Sequence, residues 1–254
     1  MISDLLLDQT KDKLAKSKIR NIVVGLGYIG VYFENGDFGL AATLREDVGG
    51  CCTLVEEAGK LTEKRPEELG RMIQASDPIK AGIGLATINA VLNKNVQSNE
   101  SSPVEALQIG RNDRVGMIGY FGPLIEPIRT RCKELYVFER RSRKEVEYIY
   151  PDWAANVLLP NCDVAIISST TIINKTLDNL LSLSPERTAL LGPSTPLAES
   201  LAEKGISHLF GSVVTDSERI VRIISEGGGT QLFGNSVRKI NLDLTSHHRN
   251  KQDH

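Results

Sequence analysis

Three apolar runs in the second half of the chain each stop at a loop of small or hydroxyl-bearing residues, and this constrains the fold more than any other feature. Residues 114–119 lead into Tyr120-Phe121-Gly122, 163–167 into Ser168-Ser169-Thr170-Thr171, and 188–191 into Gly192-Pro193-Ser194-Thr195. Such runs of β-branched and aliphatic residues suit strands buried on both faces, and helix-like spacing follows each loop. The pattern predicts a parallel sheet with the loops on one edge. Ligands of such sheets lie outside the carboxyl ends of the strands, where loop amides and helix N-termini offer donors.

The rest of that half keeps the alternation. We read a strand at 114–119, a helix near 124–133, strands at 134–139 and 163–168, a helix at 174–182, a strand at 188–192, a helix at 196–204, a strand at 207–214 and a helix at 216–226. That order predicts a doubly wound α/β domain. The first half reads differently. An amphipathic helix over 2–18 carries Ile2, Leu5, Leu6 and Leu14 on one face; β-rich residues 22–33 and 38–44 flank Asn35-Gly36, a strong hairpin signal. Pro66 opens a helix through Ile73, with Glu67 and Glu68 in its first turn, and Asp77-Pro78 caps another through Asn93. The polar stretch around 94–103 marks a boundary. The expected organisation is a small α+β domain at 1–95, a linker at 96–102, an α/β domain at 103–244 and a polar tail at 245–254.

Composition narrows the functional classes. A 41% hydrophobic content supplies a proper core, and 32 acidic against 30 basic residues leave no global field directed at nucleic acid or an anionic membrane. Cys51, Cys52, Cys132 and Cys162 show no CxxC spacing, Asp4 and Asp8 break the opening apolar stretch, and no later run approaches spanning length. A cytoplasmic protein is expected, with no nucleic-acid or membrane partner and with a homo-oligomer permitted.

Two glycine patterns resemble dinucleotide fingerprints. Gly25-Leu26-Gly27-Tyr28-Ile29-Gly30 matches GxGxxG letter for letter, but strand-like residues and a turn follow where the mechanism needs a helix N-terminus. We read its glycines as bulge or close-approach positions. Gly116 to Gly122 is better placed: Glu139 lies 20 residues beyond Gly119, where a nucleotide-binding unit puts its ribose-binding carboxylate, although Pro123 and the absent GxG fit a pyrophosphate turn poorly.

The polar candidates gather around the loops. Gly82, Gly84 and Ala86 lie in a helix pattern with Thr87 and Asn89, and support either close packing or a ligand role. Ser168, Ser169, Thr170, Thr171 and Asn174 offer hydroxyls and an N-cap; Gly192, Pro193, Ser194 and Thr195 form a turn suited to an anion or a carboxylate. Gly119, Tyr120 and Phe121 complete the set. Acid or base groups are sparse: Glu139, Tyr120, Glu34 or Glu46 could serve. His247, His248 and His254 fall in the tail and His208 opens a strand, so no metal-ligand spacing appears. A direct metal site would have to join Cys51 and Cys52 to distant residues.

Together the Gly82–Ala90 segment, 116–123, 168–177 and 190–197 resemble the putative heavy-metal chelation domain family. The resemblance spans nearly the whole chain. It implies an enolase N-terminal-like α+β domain followed by a Rossmann-like domain, with an interdomain site for a small anionic or heterocyclic molecule. Condensation or hydrolysis of a pterin-, flavin- or siderophore-like precursor of metal chelation is the implied activity. The site residues would be Thr87, Asn89, Gly119, Tyr120, Phe121, Glu139, Ser168, Ser169, Thr170, Thr171, Asn174, Gly192, Pro193, Ser194 and Thr195. No metal ligand, catalytic residue or cofactor is assigned. The alternatives are a carrier or sensor of a metal chelate, and S-adenosylmethionine-dependent methyl transfer.

Overall fold

The computed structural model describes residues 1–48, 55–98, 101–140 and 146–246. The expected first helix is α1 (Ile2–Ala15). It is followed by β1 (Ile19–Val24), β2 (Tyr28–Phe33) and β3 (Phe38–Ala42), a three-stranded antiparallel meander. Asn35-Gly36 makes the predicted hairpin turn, where the Asn35 side chain accepts the Asp37 N–H at 3.1 Å. The first turn was not expected. Gly25 to Gly27 reverse the chain, and the Gly25 N–H donates to the Tyr28 carbonyl at 2.9 Å. Gly30 then sits inside β2, so no helix N-terminus follows this fingerprint.

Next come α2 (Pro66–Arg71), which passes into a 3-10 turn at Met72–Gln74, and α3 (Pro78–Leu92). The Asp77 carboxylate caps α3 by accepting the Lys80 N–H at 2.8 Å, and Pro78 takes the first helical position. α3 is buried from Ala81 to Leu92 and packs against β2 and β3 on one side and α1 and α2 on the other. Its glycines serve that packing. A Cβ on Gly84 would lie 2.0 Å from the Ile73 amide nitrogen, so only glycine lets the 3-10 turn rest on the helix.

The second half contributes, in chain order, α4 (Pro103–Ala106), β4 (Arg114–Ile118), α5 (Gly122–Arg129), β5 (Glu134–Glu139), β6 (Ile149–Pro151), α6 (Ala155–Leu158), β7 (Val164–Ser168), α7 (Thr170–Ile173) and α8 (Leu177–Ser182). β8 (Arg187–Leu191), β9 (His208–Val214), α9 (Ser217–Ser225), α10 (Thr230–Phe233) and β10 (Val237–Asp243) complete it. The sheet has seven strands in the order β10-β9-β8-β7-β4-β5-β6, parallel except for the β9–β10 pair. Counted from β4 this is the 3-2-1-4-5-6 order of a doubly wound sheet plus an antiparallel edge strand.

Several details differ from the sequence reading. The edge strands β6 and β10 were unforeseen, because one is three residues long and the other carries Arg238 and Lys239, as edge strands commonly do. Of the expected helix 174–182 only Leu177–Ser182 is helical, as α8, after a turn at 174–176 and the separate short helix α7. The segment from 196 is not helical until a 3-10 stretch at Glu199–Lys204, since the Leu197 N–H is held by the Asn93 side chain at 2.9 Å.

The two halves share a core. One face of the large sheet sends Val115, Met117, Val137, Val164 and Ile166 towards Val104, Ile125 and Ile128. The other face sends Ala165, Ile167 and Leu190 into a cluster that continues through α3 to Ile2 and Leu6. The N-terminal unit thus takes the place of a helical layer. α9 covers the far side of the small sheet, where Ile220 and Ile224 meet Tyr32, Phe38 and Leu40. No helix among the described residues is long and apolar enough to cross a membrane.

Candidate functional site

Strand order reverses between β4 and β7, and a cleft of about 450 Å³ opens at their carboxyl ends. Gly119 ends β4 at φ +90°, a conformation that side chains rarely allow, and its sharp turn brings the Tyr120 N–H to Glu139 Oε2 at 3.1 Å. Glu139 itself ends β5. Its carboxylate lines the cleft and has no cationic partner among the described residues.

Across from it the β7 loop presents hydroxyls. Ser168 Oγ lies 2.8 Å from Thr170 Oγ1, while Thr171 Oγ1 donates to the Ser168 carbonyl at 2.6 Å. Asn174 uses its oxygen to accept from Thr176, at 2.7 Å from the hydroxyl, which leaves its amide NH2 without a partner among the described residues. Gly119, Glu139, Ser168, Thr170, Thr171 and Asn174 are therefore brought together around one space.

The remaining sequence candidates lie elsewhere, chiefly because α3 covers the third loop. Asn89 Nδ2 donates to the Leu40 and Ser194 carbonyls at 2.8 and 2.9 Å, and Asn93 Nδ2 to those of Thr195 and Ser212 at 2.8 and 3.2 Å. Ser194 Oγ accepts the Ala42 N–H at 2.8 Å. Thr195 Oγ1 sits 2.9 Å from Ser169 Oγ and 3.0 Å from the Phe210 carbonyl, and Ser169 Oγ donates to the Leu191 carbonyl. Thr87 is fully buried and donates to the Ile83 carbonyl of its own helix. Gly192 and Pro193 are half-buried and do not line the cleft; Tyr120 is exposed, and Phe121 packs beside Val115 and Met117.

Several wall residues escaped the sequence reading. Thr43, Leu44, Arg45 and Asp47 roof the cleft beside the expected Glu46, and Arg140, Asp152, Trp153 and Asn156 form its outer side. Arg140 Nη1 donates to both Asp47 oxygens at 3.0 and 2.9 Å, and its Nε to Asp152 at 3.2 Å. Glu46 lines the roof, whereas Glu34 lies in a different depression beside Lys18 and Lys64. A signal was present in Asp152-Trp153: the one tryptophan of the chain follows a proline and an acid just after a strand. Among the described residues the charged lining is Arg45 and Arg140 against Glu46, Asp47, Glu139 and Asp152, an acidic excess.

Direct metal ligation finds no support in the described residues, where no three His, Cys, Asp or Glu side chains converge suitably. Burial pushes the Cys162 thiol up to about 12, and burial likewise raises Cys132, so both rest as neutral thiols. His208 opens β9 at the opposite edge of the sheet, 3.7 Å from Asp243. Cys51, Cys52, His247, His248 and His254 lie outside the described residues.

The fold has counterparts among known proteins. An uncharacterized protein of Methanocaldococcus jannaschii is 27% identical over 257 residues, covering 96% of each chain. A crystal structure of a protein of unknown function from Desulfitobacterium hafniense superposes with a TM-score of 0.82 at 24% identity, covering 95% of this chain and 97% of that one. Another from Pyrococcus horikoshii, also of unknown function, gives 0.82 at 24% identity over 96% of this chain and all of that one. At that identity the likeness speaks for the fold. Two family profiles described as putative heavy-metal chelation match residues 7–92 and 102–243. Taken with the shared fold, these matches identify the chain as a member of the putative heavy-metal chelation family.

Proposed function

We propose that residues 1–95 and 103–244 act as two domains whose cleft binds a small, donor-bearing heterocyclic metabolite connected with metal chelation, either the chelator or its precursor. The observation that carries this reading is the Glu139 carboxylate, without a cationic partner among the described residues, facing the Ser168, Thr170 and Asn174 side chains at the switch point of the sheet. A carboxylate accepts paired N–H or O–H donors, the hydroxyls and the Asn174 NH2 satisfy ring nitrogens or carbonyls, and Trp153 offers a flat face at the rim. The acidic excess favours such a ligand over a purely anionic one.

Mass spectrometry of small molecules released from freshly purified protein tests this reading. A stoichiometric compound from wild type that is depleted in Glu139→Gln supports it; retention undiminished in the variant removes Glu139 from the site. Conversion of that compound on incubation marks an enzyme of the condensing or hydrolytic kind, and release unaltered marks a carrier or sensor.

One observation favours a second reading. Glu139 ends the strand next to β4, the place of the ribose-binding carboxylate in a nucleotide-binding sheet, so S-adenosylmethionine or a dinucleotide is the rival ligand. Calorimetry with each compound decides it, since absence of heat and of any thermal shift discards both.

A further inference from the structure

We propose that Lys175 is a positioning residue of the cleft: it holds the turn between α7 and α8 in the shape that presents the Asn174 amide, and it ties that turn to the N-terminal unit. Lys175 has φ +65°, a left-handed conformation that strains any residue with a Cβ and leaves glycine unstrained. The bend folds Thr176 back on the preceding turn. The Thr176 N–H is shared between the Thr171 carbonyl at 3.0 Å and Asn174 Oδ1 at 3.2 Å, and the Thr176 hydroxyl donates to the same Asn174 oxygen at 2.7 Å. A backbone N–H only donates, so these contacts fix which end of the Asn174 amide is the oxygen. The NH2 is the end left over, at the cleft wall.

The side chain explains why a lysine stands where glycine would bend more easily. Lys175 does not line the cleft; its Nζ donates to the Ile73 carbonyl, and no carboxylate pairs with it among the described residues. Ile73 lies in the 3-10 turn that rests on Gly84 of α3, so this carbonyl is a fixed anchor. Burial opposes the charged form and lowers the lysine pKa, so the tether is kept against desolvation as well as backbone strain. A glycine would serve the bend and a leucine the packing; only a long donor joins the bend to the first half of the chain. Asp178 makes a second tie, since its Oδ1 accepts the Ile2 N–H at 3.0 Å and so caps α1 from α8. The wall from Asn174 to Asn179 is thus seated on the N-terminal unit at two points. The bend and its tether stand on geometry; that the Asn174 amide then serves a ligand rests on the binding reading above.

NMR on the intact 15N-labelled protein tests the placement without any ligand. The side-chain NH2 pair of Asn174, assigned by its loss in Asn174→Asp, should move or broaden in Lys175→Met, and exchange of the Thr176 amide should rise about fivefold or more. Lys175→Gly relieves the backbone but removes the tether, and should behave as Lys175→Met does; Lys175→Arg keeps a long donor and should restore the wild-type NH2 signals. Exchange across 85–93 and 190–197 should stay at wild-type rates in all three variants. An unmoved Asn174 pair with unchanged Thr176 exchange in Lys175→Met overturns the proposal. Wild-type behaviour of Lys175→Gly does so too, because the bend alone would then suffice, and so does an equal rise in all segments, which marks general destabilisation. For the compound that mass spectrometry finds in wild-type protein, retention should fall about fivefold or more in Lys175→Met and recover in Lys175→Arg. Undiminished retention beside a displaced Asn174 amide removes Lys175 from the site and leaves the binding reading standing. A displaced amide in protein that yields no compound sustains the positioning and counts against the binding reading instead.

Discussion

The loops after β7 and β8 look alike as sequence and have opposite fates. Both leave buried parallel strands, both are rich in hydroxyls, and each was expected to face a ligand. The first lines an open cleft; the second is sealed, its Ser194 and Thr195 carbonyls taken by Asn89 and Asn93 of α3. A hydroxyl-bearing loop at a sheet edge is thus only a potential site. What lies above it decides whether its polar groups are saturated by protein or left for something else.

The sharpest way to break this contrast is to remove the seal. Asn93→Ala strips partners from two buried carbonyls and the Leu197 N–H, and should cost about 3–5 kcal/mol in urea denaturation. A loss below ~1 kcal/mol would mean that the seal is not structural. Next, Thr195→Val should cost about 1–2 kcal/mol and Thr170→Val less than about 0.5 kcal/mol, because the first hydroxyl is buried among protein partners and the second borders the cleft. Equal losses would erase the distinction between the loops.

Glu139→Gln should leave the denaturation midpoint nearly unchanged, since its amide oxygen can still accept the Tyr120 N–H. Affinity for the compound proposed to occupy the cleft should fall by about tenfold, roughly 1.4 kcal/mol, when measured by calorimetry. The smallest effect concerns pH and lies at the edge opposite the cleft. Burial, only partly offset by Asp243, holds the His208 imidazole below its ordinary 6.5, so the unfolded chain binds that proton more readily than the native one. Stability should therefore drop as pH falls through 6.5 and return as pH rises from the lowered folded-state value to above 6.5. His208→Gln should flatten that slope below about pH 6.5 without altering ligand binding.

The sealed loop also explains where sequence reading stopped. Buried strands are legible because two-sided burial demands continuous apolar residues, and α3 because Asp77-Pro78 is a strong start signal. The Rossmann-like order itself follows from alternation. Edge strands are not legible: half their hydrogen-bonding partners are missing, so short or charged segments suffice. Thr87 and Asn89 are polar residues within an apolar helix, a pattern that suits a ligand site and an internal seal equally well. Only the position of Leu40 and Ser194 tells them apart.

The wall residues Asp47, Arg140 and Asp152 show the same limit. They are far apart in sequence and ordinary in type, and an ion pair between them exists only because β5, β6 and the segment after β3 end at one place. The sequence by itself determined the positions of the buried strands, the switch-point loops and the family, because local hydrophobic periodicity and turn chemistry act over a few residues. Only the tertiary structure decided which polar groups are satisfied and which face the cleft, because satisfaction depends on partners brought from elsewhere in the chain.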